Sequence, residues 1–184
     1  MPRMTDAERD AFLNEPGVLL KIGTVGPDGR PLVTPIWFIR EGDRIYFTPR
    51  QRSEWLANLR ANPSVALCID EQPYPYRKLL VEGRAEIVHD VGRDDEWRDL
   101  YRRIARRYVS AEDAEAYVEE TIDQPRALLA VSLASSKLRS WRMPIEGESY
   151  KGIWADRYYT ADAKIRRHEA EGGLPGAIGR EPDD

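Results

Sequence analysis

The chain of 184 residues contains one cysteine and two histidines, and this scarcity removes several classes of site. Cys68 has no second cysteine, so neither a disulfide nor a cysteine zinc cluster can form within one chain. His89 and His168 lack further ligand residues at metal-binding spacing. The sequence therefore predicts no metal site, and we expect Cys68 to be a small buried hydrophobic residue.

Several nucleotide-binding and catalytic motifs are also missing. No P-loop, no G-x-G-x-x-G turn and no G-x-S-x-G nucleophile motif occurs, so Rossmann-type nicotinamide binding and hydrolase chemistry gain no support. The 28 basic residues are outnumbered by 32 acidic ones, and the net charge of -4 argues against general nucleic-acid binding. With no apolar run of transmembrane length and no signal peptide, we expect a cytoplasmic protein without membrane contact.

Short apolar segments and turn residues account for most of the chain up to residue 142. We expect six short strands, among them residues 18–25, 64–70 and 79–88. A capping box at Thr5 predicts a first helix, and amphipathic helices are expected at 93–108 and 111–122. Strands interrupted by helices predict a mainly β, α+β fold in which a six-stranded antiparallel sheet closes into a barrel.

The stretch from residue 30 to 63 reads as strand, turn, strand and helix, with Ser53 as the helix N-cap. A helix N-terminus presents free N–H groups and the positive end of a dipole. Thr48, Arg50 and Arg52 lie just before it, so the segment has the composition of an anion-binding cradle. The alternative is that Ser53 only caps the helix while both arginines are solvated.

The same stretch carries a family pattern, V-x-P-x-W-F followed by F-T, a basic and serine-containing segment, and N-L-R-x-N-P. The residues that carry it are Val33, Pro35, Trp37, Phe38, Phe47, Thr48, Ser53, Asn58, Leu59, Arg60, Asn62 and Pro63. The pattern resembles the flavin-binding split-barrel family of pyridoxamine 5′-phosphate oxidase-like proteins, including flavin and deazaflavin oxidoreductases. Further matches, such as Tyr76-Arg77 and Ser140-Trp141, extend the resemblance over roughly residues 5–142.

This resemblance implies a bound FMN or, alternatively, the deazaflavin coenzyme F-420, with its ring against the strand at 33–38. It assigns no catalytic residue. Many relatives have a lysine where this chain has Trp55, and Arg52 or Arg50 is expected to replace it at the cofactor phosphate. The implied cofactor-binding residues are Val33, Pro35, Ile36, Trp37, Thr48, Arg50, Arg52, Ser53, Trp55 and Arg77.

The implied function is an oxidoreductase that passes hydride between the flavin and a small organic substrate. A flavin-binding or storage protein without turnover, and a haem-binding split-barrel protein, remain alternatives. Pyridoxamine phosphate oxidase activity itself is not expected, because its second phosphate site and its C-terminal signature have no match. Tyr74 and Tyr76 either line the ligand mouth or pack their loop onto the barrel.

The composition changes after Arg142, where glycine and proline become frequent. We therefore divide the chain into a flavin-binding domain at 1–142 and an extension at 143–184, with a helix expected at 161–171. The extension contains Trp154, Tyr158 and Tyr159, which we expect to pack on the barrel or on a second subunit. The resemblance implies a homodimer with the cofactor at the subunit interface.

Overall fold

The structure, a computed structural model, describes residues 2–148, 160 and 162–163. Turns and short loops connect its helices and strands. In chain order the elements are α1 (Asp6–Asn14), β1 (Leu20–Val25), β2 (Pro31–Ile36), β3 (Ile39–Glu41), β4 (Arg44–Phe47), α2 (Glu54–Ala61), β5 (Ser64–Asp70), β6 (Lys78–Arg84), β7 (Glu86–His89), a 3-10 turn (Asp94–Glu96), α3 (Arg98–Arg106), α4 (Ala111–Glu120), β8 (Leu128–Ser132) and β9 (Lys137–Trp141).

The strands form two antiparallel sheets that share one core. A five-stranded sheet has the order β2-β1-β5-β6-β9, and a four-stranded sheet has the order β3-β4-β8-β7. Alternate residues of each strand face inward, as the period of two requires. The five-stranded sheet contributes Leu20, Ile22, Leu67 and Val81 to the core, and the four-stranded sheet contributes Ile45, Phe47, Leu129 and Val131.

The prediction of an antiparallel α+β fold is confirmed, but the prediction of six strands in one closed barrel is not. The described residues form nine strands, and two of the predicted strands leave one sheet and join the other. The first divides into β2 and β3 around Trp37 and Phe38. The second divides into β6 and β7 at Ala85, whose N–H donates to the Pro63 carbonyl at 2.8 Å. Apolar periodicity continues through such a corner and does not reveal it.

Tyr108 holds the corner between β2 and β3. The Phe38 N–H donates to the Tyr108 hydroxyl oxygen at 3.1 Å, and that hydroxyl donates to the Val18 carbonyl at 2.9 Å. The Trp37 and Tyr108 rings stack with centroids 5.0 Å apart and planes within 3° of each other. Hydrogen bonding and stacking together therefore fix the position of Trp37 after the strand ends.

The helices follow the sequence analysis closely. The Thr5–Glu8 capping box is formed at α1. The expected helix at 93–108 begins with a 3-10 turn and becomes α-helical only at Arg98, while its apolar residues Trp97, Tyr101 and Ile104 are buried as expected. No described helix has both the length and the apolar character needed to cross a bilayer.

Cys68 differs from the prediction, because it is only partly buried. It lies on the outward side of β5, opposite the side of Leu67 and Ile69. Its Sγ is 3.6 Å from the Asp70 carboxylate. Burial and this neighbouring negative charge raise the pKa of the Cys68 thiol, so the thiol form is stabilised at neutral pH.

The described start of the C-terminal extension lies against α1 and the 71–77 loop. The Arg142 guanidinium is buried between the carboxylates of Glu8, at 2.8 Å, and Glu148. The exposed Tyr74 donates its hydroxyl to the Pro144 carbonyl. The 71–77 loop thus holds this segment. Apart from residues 162–163, the expected helix at 161–171 lies outside the described residues, as do the aromatic residues Trp154, Tyr158 and Tyr159.

Candidate functional site

An open cleft of about 440 Å³ lies beside β2, one of the two edge strands of the five-stranded sheet. This volume is within the range of small-molecule sites. Pro35 occurs on β2 because an edge strand tolerates proline, which has no N–H to donate. The lining residues are Leu19, Thr34, Pro35, Ile36, Trp37, Thr48, Arg50, Ser53, Trp55, Tyr101, Tyr117 and Arg126.

The cleft brings together most residues that the sequence analysis proposed for cofactor binding. Three lie elsewhere. Val33 is on the outward side of β2 and is 66% exposed, and Arg52 is exposed in the turn before α2. Arg77 forms ion pairs with Glu15 and Glu71. The residues that do line the cleft are Pro35, Ile36, Trp37, Thr48, Arg50, Ser53 and Trp55.

The N-terminus of α2 opens onto the cleft without a side-chain cap. Ser53 occupies the N-cap position, as predicted, but its hydroxyl donates to the Arg50 carbonyl and accepts no hydrogen bond from the helix. The simple capping alternative is therefore not what the structure shows. N–H groups in the first turn of a helix have no partner within the helix. A ligand anion in the cleft could therefore accept hydrogen bonds from them.

Trp55 takes the place of the lysine found in many relatives, and it serves the core as well as the cleft. Its side chain is buried, and its ring centroid is 5.9 Å from that of Phe47. A lysine here would lose this packing and would place an ammonium group beside the core. The positive charge of the site must therefore come from other residues.

Arg126 is a lining residue that the sequence analysis missed. It is 6% exposed, and its guanidinium carbon lies 4.6 Å from the centroid of the Tyr101 ring. The guanidinium donates to the Tyr117 hydroxyl at 3.1 Å and to the Thr48 carbonyl at 3.3 Å. The sequence shows only that one arginine precedes an apolar strand. It does not show which other element that arginine faces, so it could not indicate that Arg126 lines the cleft.

Tyr101 and Tyr117 form the aromatic wall near Arg126, although the sequence analysis placed them only within the two expected amphipathic helices and not at the cofactor site. The Tyr117 hydroxyl accepts hydrogen bonds from Arg126 and from Arg50, each at 3.1 Å. Burial raises the pKa of Tyr101. Burial opposes ionisation of Tyr117 too, but the Tyr101 hydroxyl and the charges of Arg126 and Arg50 outweigh it and lower the pKa of Tyr117.

The composition of the lining determines which ligands fit. It includes two arginines and no aspartate or glutamate, and aromatic rings form much of the wall. It contains no histidine, cysteine or methionine, and the described residues include no group of three or more His, Cys, Asp or Glu that could hold a metal ion. The cleft is thus suited to a planar ligand that carries an anionic group.

Known proteins with the same architecture include an F-420 reductase, at 25% identity and a TM-score of 0.52, with 70% of this chain and 94% of that chain covered. A conserved hypothetical protein from Mycobacterium tuberculosis is similar at 23% identity and a TM-score of 0.61, with 82% of this chain and 92% of that chain covered. The haem storage protein HutZ from Vibrio cholerae is similar at 19% identity and a TM-score of 0.57, with 75% of this chain and 96% of that chain covered. The last two similarities concern the fold alone.

No curated protein matches the chain by sequence. A family model does match it, and that model, described as pyridoxamine 5′-phosphate oxidase, covers residues 5–139. This range extends from the capping box of α1 into β9 and includes every residue that lines the cleft. The chain therefore belongs to the pyridoxamine 5′-phosphate oxidase-like split-barrel family of flavin and deazaflavin proteins.

Proposed function

We propose that the protein is a flavin-dependent oxidoreductase that passes hydride between bound FMN, or the deazaflavin coenzyme F-420, and a small organic substrate. The observation that carries this proposal is the cleft itself, which combines aromatic walls with two arginines and no carboxylate beside a free strand edge. Membership of the flavin and deazaflavin family supports it. The similarity to an F-420 reductase supports the deazaflavin alternative.

Residues of the cleft divide into two roles in this proposal. The backbone of β2 and Trp37 would hold the ring, because an edge strand has N–H and C=O groups that no neighbouring strand uses. Thr48, Arg50 and Ser53, with the first turn of α2, would hold the phosphate. The bound ring supplies the redox chemistry, so the protein needs to provide only binding, orientation and charge.

The haem-binding alternative gains less support from the cleft, because its lining offers no histidine, cysteine or methionine and leaves only the tyrosines Tyr101 and Tyr117 as possible axial ligands. Val33, Arg52 and Arg77 lie outside the lining, so their contact with the cofactor stays a prediction. A storage or carrier function uses the same cleft and differs only in turnover. An experiment must therefore separate binding from catalysis.

We expect the purified protein to bind FMN or coenzyme F-420 and to reoxidise its reduced form with a small acceptor. Absorption spectra and mass spectrometry of the copurifying ligand test binding, and anaerobic reduction followed by addition of candidate acceptors tests turnover. Binding without acceptor-dependent reoxidation would favour the carrier alternative. Failure to bind either compound would refute the proposal.

We also propose a homodimer in which the outer face of β1 and β2 contacts the second subunit and the cofactor lies at the interface. Val25, Pro31 and Val33 expose apolar surface there, and contiguous apolar surface of this kind marks an interaction site. The extension at 143–184 would pack on the barrel or on the second subunit. Dimers with two-fold symmetry are the commonest assembly and use the same patch on both subunits.

Val33→Glu should therefore convert the dimer to a monomer in sedimentation experiments, because it places a charge in the proposed interface on each subunit. Ile122→Glu is the matched control, since Ile122 is an exposed apolar residue that follows α4 and belongs to neither β1 nor β2. A wild-type monomer, or a Val33→Glu variant that remains dimeric, would contradict the proposed interface.

A further inference from the structure

Arg126 and Arg50 are paired in a way that is unfavourable unless an anion is present. They face each other across an isolated antiparallel bridge. The bridge is fixed by two neighbouring backbone hydrogen bonds, from the Gln51 N–H to the Pro125 carbonyl at 2.9 Å and from the Ala127 N–H to the Pro49 carbonyl at 3.0 Å. Like charges directly opposite each other on paired strands are destabilising. The backbone thus holds two guanidinium groups side by side.

Nothing among the described residues neutralises this pair. Among those residues no carboxylate oxygen lies within 4.0 Å of either guanidinium, whereas Arg77 and Arg142 each contact two carboxylates. The side-chain hydrogen bonds of Arg126 and Arg50 go to uncharged oxygens, on Tyr117 and on the backbone of Thr48. The hydrogen bond between the Asp94 carboxylate and Arg126 comes from the Arg126 backbone N–H, at 2.8 Å, and not from its guanidinium.

Burial makes the missing counter-charge significant. Arg126 is more than nine-tenths buried, and its Nε has no hydrogen-bond partner among the described residues. A buried charge is costly unless it is paired. Because Arg126 lines the cleft, a ligand there is the available source of a counter-charge.

We propose that Arg126 and Arg50 together bind the phosphate monoester of FMN, with Arg126 supplying the buried charge of the pair. Two guanidinium groups match the charge of a phosphate monoester, which is about −1.5 to −2 at neutral pH, and each can donate two parallel hydrogen bonds. This inference rests on the proposed flavin function. It assigns the second cation of the site to Arg126 and not to the exposed Arg52.

The test compares FMN with riboflavin, which differ only in the phosphate. Arg126→Gln should weaken FMN binding by roughly 10–100-fold, because it removes hydrogen bonds to a charged group. Riboflavin affinity should change by less than about threefold. Arg52→Gln should leave both affinities within about the same range, because Arg52 does not line the cleft and its charge is exposed. Titrations followed by flavin fluorescence measure all four changes.

Arg126→Lys and Arg50→Gln make the test independent of whether Arg126→Gln folds. Both variants should weaken FMN binding and leave riboflavin binding unchanged. Arg126→Lys keeps the positive charge but loses the planar guanidinium that can donate two parallel hydrogen bonds. Arg50→Gln removes the charge of the exposed member of the pair. The inference is overturned if these variants bind FMN as the wild type does, or if FMN and riboflavin affinity fall equally. A larger loss with Arg52→Gln than with the Arg126 variants would also overturn it.

Inorganic phosphate separates failure of this inference from failure of the proposed function. If the wild type binds no flavin, phosphate should still raise the unfolding temperature of the wild type and not that of Arg126→Lys or Arg50→Gln. Equal stabilisation of all three proteins would show that phosphate binds elsewhere, as an adventitious ion only, and would refute the arginine pair as an anion site.

Discussion

Arg77→Met should lower the free energy of unfolding by about 1.5–3 kcal/mol at neutral pH, because it removes the shared partner of two carboxylates, of which Glu71 is nearly buried and Glu15 is partly exposed. The Arg77 guanidinium donates to Glu15 at 2.6 and 2.7 Å and to Glu71 at 2.6 and 2.7 Å. It also lies over the Phe12 ring, 4.9 Å from its centroid. The arginine thus joins the end of α1 to the 71–77 loop, and chemical denaturation measures the loss.

The effect of Arg77→Met should shrink in acid. Burial by itself would raise the pKa of Glu71, but hydrogen bonds from the Arg77 side chain and N–H hold the pKa below its ordinary value of 4.5. In the wild type, a lowered pKa contributes stability above pH 4.5 that is lost as the pH falls. In the variant, burial remains without the guanidinium, so protonation of Glu71 relieves the unpaired charge. The two unfolding free energies should therefore converge below about pH 4.5.

Arg84→Met is the matched control for this prediction. Arg84 ends β6, is exposed, and forms no ion pair within the described part of the chain. Its replacement should change the unfolding free energy by less than about 1 kcal/mol. Equal losses for the two variants, or a difference that does not change with pH, would show that Arg77 does not act through its carboxylates.

Tyr108→Phe should cost about 2–4 kcal/mol of unfolding free energy and should weaken cofactor binding. It keeps the ring that stacks on Trp37 but leaves the Phe38 N–H and the Val18 carbonyl without the partner that joins them. Each buried polar group left unsatisfied costs about 1–3 kcal/mol. Because these groups hold the corner at which β2 leads into β3, the cleft wall should shift with them.

Thermal unfolding and flavin titration of Tyr108→Phe measure these two effects. Tyr76→Phe provides the control, since the Tyr76 side chain is exposed and its hydroxyl forms no hydrogen bond among the described residues. Unchanged stability of Tyr108→Phe would mean that another group or water satisfies the corner. A loss of stability with unchanged cofactor affinity would mean that the corner does not position the ring site.

Local chemistry allowed much of this protein to be predicted from its sequence. The Thr5–Glu8 capping box and the strand Ser64–Asp70 depend on residues that are near one another in the chain. The family pattern around Pro35 and Trp37 is equally local, and the family model confirms the resemblance. Short-range hydrogen bonding and side-chain periodicity are sufficient for features of this kind.

Only the tertiary structure decided where two predicted strands change sheets and which arginines carry unpaired charge. The family resemblance predicted that Arg77 binds the cofactor, yet in the structure Arg77 forms an ion pair with Glu15, a residue distant in sequence. Arg126 belongs to no sequence motif that predicts a role for it, yet an isolated bridge places it opposite Arg50, and its guanidinium contacts Tyr117. The consequence of an arginine's charge depends on burial and on partners from distant segments, and hydrophobic periodicity carries no information about either.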